Sequence, residues 1–145
     1  MKALRLFTPA DVSEMEQAIR AAESSTSAEI RVHIEDKLAV DARDRAAFIF
    51  EKLGMHATDA RNGVLVYIAV ESRKFAIIGD VGIHQFVQDA YWESCAEILT
   101  EHFKRAEFKA GIVSVIAHIA QPLSIHFPRK NNDQNELSDT ISFGQ

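Results

Sequence analysis

Cysteine is nearly absent from this chain: Cys95 stands alone among 145 residues, so no intramolecular disulfide can form and a disulfide-framed secreted scaffold is excluded. Cys95 lies in an apolar helical pattern, as a buried structural thiol does. Positive charge is also short. Lys and Arg number 16 against 21 Asp and Glu, a formal charge of −5, with none of the basic stripe by which nucleic-acid binders release counterions from phosphates. Residues 1–7 lack an apolar h-region and a small-residue cleavage site, and no stretch reaches the roughly 20 apolar residues of a membrane span. The expectation is a cytoplasmic chain that does not itself insert into a membrane and does not bind nucleic acid. Missing as well are a P-loop, a Gly-x-Ser-x-Gly elbow, an EF-hand loop and any Cys/His set with zinc spacing.

What is present supports one hydrophobic core, since 47% of the residues are apolar and the length suits a single domain. We place that domain at residues 1–128 and a polar tail at 129–145, where Leu137, Ile141 and Phe143 offer docking points. Thr8-Pro9-Ala10-Asp11 reads as a helix opening, with a capping hydroxyl, Pro at the first helical position and a carboxylate in the first turn. Val12, Met15, Ile19 and Ala22 continue at helical spacing. Ile30, Val32 and Ile34 alternate with polar residues, predicting a strand with one polar face. Asp41 caps a second helix whose apolar stripe, Ala46, Ile49, Phe50 and Leu53, stops at Gly54. Val64–Val70 is almost continuously apolar, as a central strand covered on both faces should be. Two helices follow, over 85–103 and 107–121, the second stopped by Pro122. The fold class expected is α/β, a three-layer α/β/α sandwich with a small mixed central sheet flanked by helices. A fourth strand is unassigned.

The segment 58–92 holds the candidate chemistry. Strands 63–70 and 73–79, joined through Glu71-Ser72, form an antiparallel hairpin that sets the start of one beside the end of the other. Asp59, Arg61 and Asn62 therefore meet Asp80, and the next helix brings Asp89 and Trp92 near. Asp80, between glycines, suits either a metal ligand or a helix cap. Asp80, Asp89, Glu29, Asp59 and Asn62 form an oxygen-rich set matched to a hard cation, Ca²⁺ or Mg²⁺, rather than a transition metal. Arg61 and Arg73 are the anion partners for a phosphorylated substrate, or else pair with Asp59 and Glu71. His84 reads as a surface or capping group.

The series Ala28-Glu29-Ile30-Arg31-Val32, Asn62-Gly63-Val64-Leu65-Val66, Arg73-Lys74-Phe75-Ala76-Ile77-Ile78-Gly79-Asp80-Val81-Gly82-Ile83, Asp89 and Phe108-Lys109-Ala110-Gly111-Ile112 resembles the TPM domain family over about residues 8–124. Phe127-Pro128 and Asn135-Glu136-Leu137-Ser138-Asp139 resemble a short bacterial branch of it. The resemblance implies an α/β/α fold and divalent-cation binding, calcium especially. For photosynthetic plant relatives it implies an acid phosphatase activity proposed to act in photosystem repair. His84 stands where many relatives have Glu, and larger bacterial relatives carry a signal peptide and membrane span not seen here. The expected function is a cation-binding structural or interaction module with a protein partner; the alternative is a metal-assisted phosphomonoesterase.

Overall fold

Thr8 Oγ1 accepts the Asp11 N–H at 3.1 Å and Asp11 Oδ2 accepts the Thr8 N–H at 3.0 Å. This reciprocal capping box, with Pro9 behind it, starts helix α1 (Pro9–Glu23). The computed structural model describes residues 6–129 and 141–144. After α1 come β1 (Glu29–Glu35), α2 (Ala42–Lys52), a 3-10 turn (Met55–Ala57), β2 (Gly63–Ala69) and β3 (Lys74–Gly79). The short α3 (Val81–His84), α4 (Asp89–Lys104), α5 (Phe108–His126) and β4 (Ser142–Gly144) complete the order.

The strands make one mixed sheet in the order β3-β2-β1-β4, with β2 antiparallel to β3 and β1 parallel to both β2 and β4. Pleating divides the side chains between two cores. Ile30, Val32, Ile34, Val64, Val66 and Ile68 point into the larger one, with Met15 and Ile19 of α1, Cys95 and Leu99 of α4, and Ile112 and Ile116 of α5. Leu65, Tyr67 and Ala69 point the other way, onto Ala46, Ile49 and Phe50 of α2. The sheet is thus sandwiched between helices. All seven residues of β2 are buried, which is why its sequence shows no alternation. Asp41 caps α2 by accepting the Arg43 and Asp44 N–H groups at 2.9 and 3.3 Å.

Three features depart from the sequence reading. Helix α5 does not stop at Pro122 but runs to His126. A proline inside a helix leaves the carbonyl four residues earlier without its donor. That carbonyl belongs to His118, and the Tyr91 hydroxyl of α4 donates to it. The hydrogen bond removed from within the helix is replaced from outside it. Secondly, the helix expected over 85–103 starts four residues late, at Asp89, and runs to Lys104, and the short α3 at Val81–His84 precedes it. Ile83 and Val87 are both buried at a four-residue spacing that imitates one helical face, yet the chain turns between them and restarts at Asp89. Finally, α5 is long and apolar enough to cross a membrane by length and composition alone, with a mean hydropathy of 1.3. Here Ile112, Val115, Ile116, Ile119 and Leu123 are buried in the protein core.

The strand that the sequence left unassigned is β4. It pairs with β1 through His33↔Ser142, Ile34↔Phe143 and Glu35↔Gly144. Ile141 is buried and Phe143 packs against the larger core. Leu137 and the remainder of 130–140 lie outside the described residues.

The Tyr91 bond is testable by a double-mutant cycle. Tyr91→Phe keeps the ring but strands the His118 carbonyl, and urea unfolding should show a loss of about 1–3 kcal/mol. Pro122→Ala restores an N–H to that carbonyl, so the cost of Tyr91→Phe in its background should fall below about 1 kcal/mol. An equal cost in both backgrounds would refute the replacement.

Candidate functional site

The loop that enters β2 is seated on the start of α3. Thr58 Oγ1 accepts the Asn62 N–H at 3.2 Å, and the Arg61 carbonyl accepts the Gly82 N–H at 2.8 Å. Arg61 adopts the left-handed backbone, φ 51°, which a bulky side chain seldom does. The approach at Gly82 is close: a Cβ there would lie 2.2 Å from the Ala60 carbonyl oxygen and 2.7 Å from that of Arg61. So seated, Arg61 grips Asp80 with both arms of its guanidinium, Nε to Oδ2 at 2.8 Å and Nη2 to Oδ1 at 3.0 Å. Asp80 Oδ1 also accepts the Val81 N–H at 2.7 Å, capping α3. The Asp80 side chain is 4% exposed and that of Arg61 48%. Hydrogen bonding and charge attraction from Asp80 hold the Arg61 pKa above its ordinary value.

The other expected site residues are distributed around this pair. Asp59 is exposed on the same loop, and Asp89 is the exposed first residue of α4. Glu29 is buried at the start of β1, paired in register with Gly63. Asn62 is buried, and its amide nitrogen has no acceptor among the described residues; a donor in that position suits a carbonyl or water better than a cation. Arg61 pairs with Asp80, not with the neighbouring Asp59. Arg73 is not brought to this end at all. It lies in the turn between β2 and β3 with φ 54°, separated from Asp80 by the whole length of β3. It lines a cavity with Phe75 and Phe103 instead. Glu71, its expected partner, is 3.8 Å from Lys37.

Beside the pair, a cleft of about 630 Å³ runs along Phe75–Gly79 of β3. Asp41 and Arg43 at the start of α2 form one wall, and His84, Asp89, Trp92 and Glu93 the other. The Trp92 ring lies against Gly79, where a Cβ would come within 2.9 Å of it. A second hollow of about 380 Å³ shares Ile78, Gly79 and His84 and reaches Arg61 and Asp80. Carboxylate oxygens without thiols suit a hard cation. They do not form a finished cage, because both Asp80 oxygens are engaged by Arg61 and the α3 cap. Among the described residues no three His, Cys, Asp or Glu side chains converge as a metal-binding group.

A polar cluster not foreseen from sequence lies beneath α2. Glu35, 1% exposed, accepts from Arg45 Nε at 3.0 Å, Arg45 Nη2 at 2.5 Å and the Tyr67 hydroxyl at 2.6 Å. His33 Nε2 is 3.3 Å from Glu35 Oε1, and its Nδ1 is 2.7 Å from Ser142 Oγ of β4. Burial pushes the Glu35 pKa up, but the bonds from Arg45, Tyr67 and His33 outweigh it and hold it below the ordinary glutamate value. Burial lowers the His33 pKa, opposed in part by Glu35. A signal was available: Glu29, Arg31, His33 and Glu35 alternate along one face of β1, and a strand inside a sheet cannot leave such a face unpaired.

The TPM domain model matches residues 2–121. The NMR structure of the BA42 protein from the psychrophilic bacterium Bizionia argentinensis is similar at 41% identity and a TM-score of 0.89, with 95% of each chain covered. The N-terminal domain of a P. gingivalis protein shares the fold at 17% identity and a TM-score of 0.67, over 88% of this chain and 83% of that one. The N-terminal domain of the cg2496 protein of Corynebacterium glutamicum shares it at 14% identity and 0.65, over 81% and 74%. No curated protein matches the chain.

Two expectations follow from this geometry. Gly82→Ala forces its methyl into backbone that cannot yield without moving the 58–62 loop, and should cost about 2 kcal/mol in urea unfolding. For the polar cluster, both native pKa values lie below the unfolded ones, 6.5 for His33 and 4.5 for Glu35. The unfolded chain therefore takes up protons first as the pH falls. Stability should be complete above pH 6.5, decline below it through His33, and decline further below 4.5 through Glu35. His33→Asn should flatten the upper part of that decline; an unchanged slope would remove His33 from the account.

Proposed function

Since the chain belongs to the TPM domain family, we propose that it is a divalent-cation-binding structural or interaction module, calcium preferred over magnesium, acting at the end of the sheet where Asp59, Asp80 and Asp89 stand. The observation that supports this reading is the charge of the cleft beside β3. Asp41, Asp89 and Glu93 line it against the single guanidinium of Arg43. Such a lining attracts cations and repels a phosphomonoester dianion. A bound ion would supply positive charge to these carboxylates; Arg61 already does so for Asp80. Because the Arg61 side chain is half exposed, it can leave Asp80 to solvent or to a competing cation without unpacking the core.

Phosphomonoester hydrolysis is less well supported. Of the two arginines expected to anchor phosphate, Arg61 is engaged by Asp80 and Arg73 stands at the far end of the hairpin. Binding without turnover accords better with this arrangement.

Thermal unfolding of chelator-stripped protein tests the proposal. At a hundred times its Kd, an ion bound only by the folded state adds about 2.7 kcal/mol, a rise of several degrees in Tm. The rise should be larger for calcium than for magnesium and should be lost in Asp89→Asn. No shift with calcium up to about 10 mM would place any Kd too high to matter and end the cation reading. Metal-dependent turnover of p-nitrophenyl phosphate that disappears in Asp80→Ala would establish the hydrolase instead.

A further inference from the structure

Strand β3 ends the sheet: β2 is bonded to one side of it, and no strand lies on the other among the described residues. An edge strand leaves half of its backbone N–H and C=O groups outside the ladder, and most proteins blunt such an edge with a bulge, a proline or an inward charge. Here the pairing from Val64↔Gly79 to Ala69↔Lys74 contains no bulge. Phe75, Ala76, Ile77 and Ile78 follow one another with neither proline nor charge, each half-buried. The edge is recessed, because it floors the 630 Å³ cleft between the start of α2 and the first turns of α4. A recessed strand edge admits a single extended chain more readily than a folded surface.

We propose that this cleft takes an extended, lysine- or arginine-bearing segment of a partner protein, added to β3 as the next strand of the sheet. Backbone bonds to the open edge would hold it, as in other cases of strand addition. Charge selects the occupant. Alternate side chains of an added strand turn to opposite faces. One set meets the α4 wall, where Asp89 and Glu93 present negative charge; the other meets Asp41 and Arg43, whose charges cancel. Basic residues therefore belong at every second position, facing α4, with neutral residues between them. A second copy of this chain fits less well, since it brings its own acidic walls and a formal charge of −5.

The inference rests on the reading of the cleft as a binding surface, but not on the cation. Its test is a titration of ¹⁵N-labelled protein, in EDTA, with a capped hexapeptide alternating valine and lysine and with its valine–glutamate counterpart. The lysine peptide should move the amide resonances of Phe75–Gly79 and bind about tenfold more tightly than the glutamate peptide, as two exposed charge pairs allow. Glu93→Lys, exposed on α4, should keep the wild-type melting temperature and weaken the lysine peptide about threefold or more. Equal affinity for the two peptides, or shifts away from β3, would overturn the proposal. A concentration-dependent dimer that alters the β3 amides would overturn it too, assigning the edge to a second copy. Peptide binding without a calcium response removes only the cation reading; a calcium response without peptide binding removes this one.

Discussion

A carboxylate buried in a sheet sets the terms for much of this structure. Glu35 is almost without solvent, and an ionised group in that position is tolerated only when paired and fully hydrogen-bonded. Its partners come from separate elements: Arg45 from α2, Tyr67 from β2 and His33 from β1 itself. His33 carries the constraint outward to Ser142, and so to β4. The approach of β4 is close enough that a Cβ at Gly144 would lie 2.9 Å from both Glu35 Oε1 and His33 Nε2. One helix, the two central strands and an edge strand are thereby tied to the same few atoms. Apolar packing supplies the bulk of the driving force, but it is non-directional, and this cluster fixes how α2 and β4 sit on the sheet.

The two ends of the sheet differ in kind. At the end where β1 finishes, Glu35 and His33 are enclosed and matched. At the other, where β2 begins and β3 finishes, Asp59 faces solvent, Asp89 and Glu93 do so around a cleft, and the bidentate pair at that end, Arg61 with Asp80, has an exposed partner. Enclosed pairs specify structure, whereas exposed carboxylates around a concavity are disposed toward ligands. The short α3, left without a long helix to bury it, lets the 58–62 loop reach across Gly82 and complete that end.

Features governed by neighbouring residues were legible in the sequence. The caps at Thr8 and Asp41, the alternation in β1, the uniform apolarity of β2 and the hairpin that sets Asp80 beside Arg61 all depend on short-range geometry. What escaped depends on distant partners. Pro122 reads as a helix stop until Tyr91, on another helix, supplies the missing donor. Ile83 and Val87 keep helical spacing across a break because both must reach the same core. Asp59 and Asp80 are equivalent partners for Arg61 on paper; the seating of the loop on Gly82 accompanies the choice of Asp80. The Glu35 cluster joins residues from four stretches of chain, and only the excess of charge on one face of β1 hinted at it.

The position of β1 bears on the order of folding. Its neighbour β2 pairs with it across an intervening helix, while Ser142 meets His33 across 109 positions of sequence. Contacts so remote are slow to close, because the entropy of the intervening chain must be lost before they contribute. Until β4 arrives, the side of β1 at His33–Glu35 stays open to any other extended chain. During synthesis, which releases β1 long before β4, that interval is when self-association between nascent copies has its opportunity.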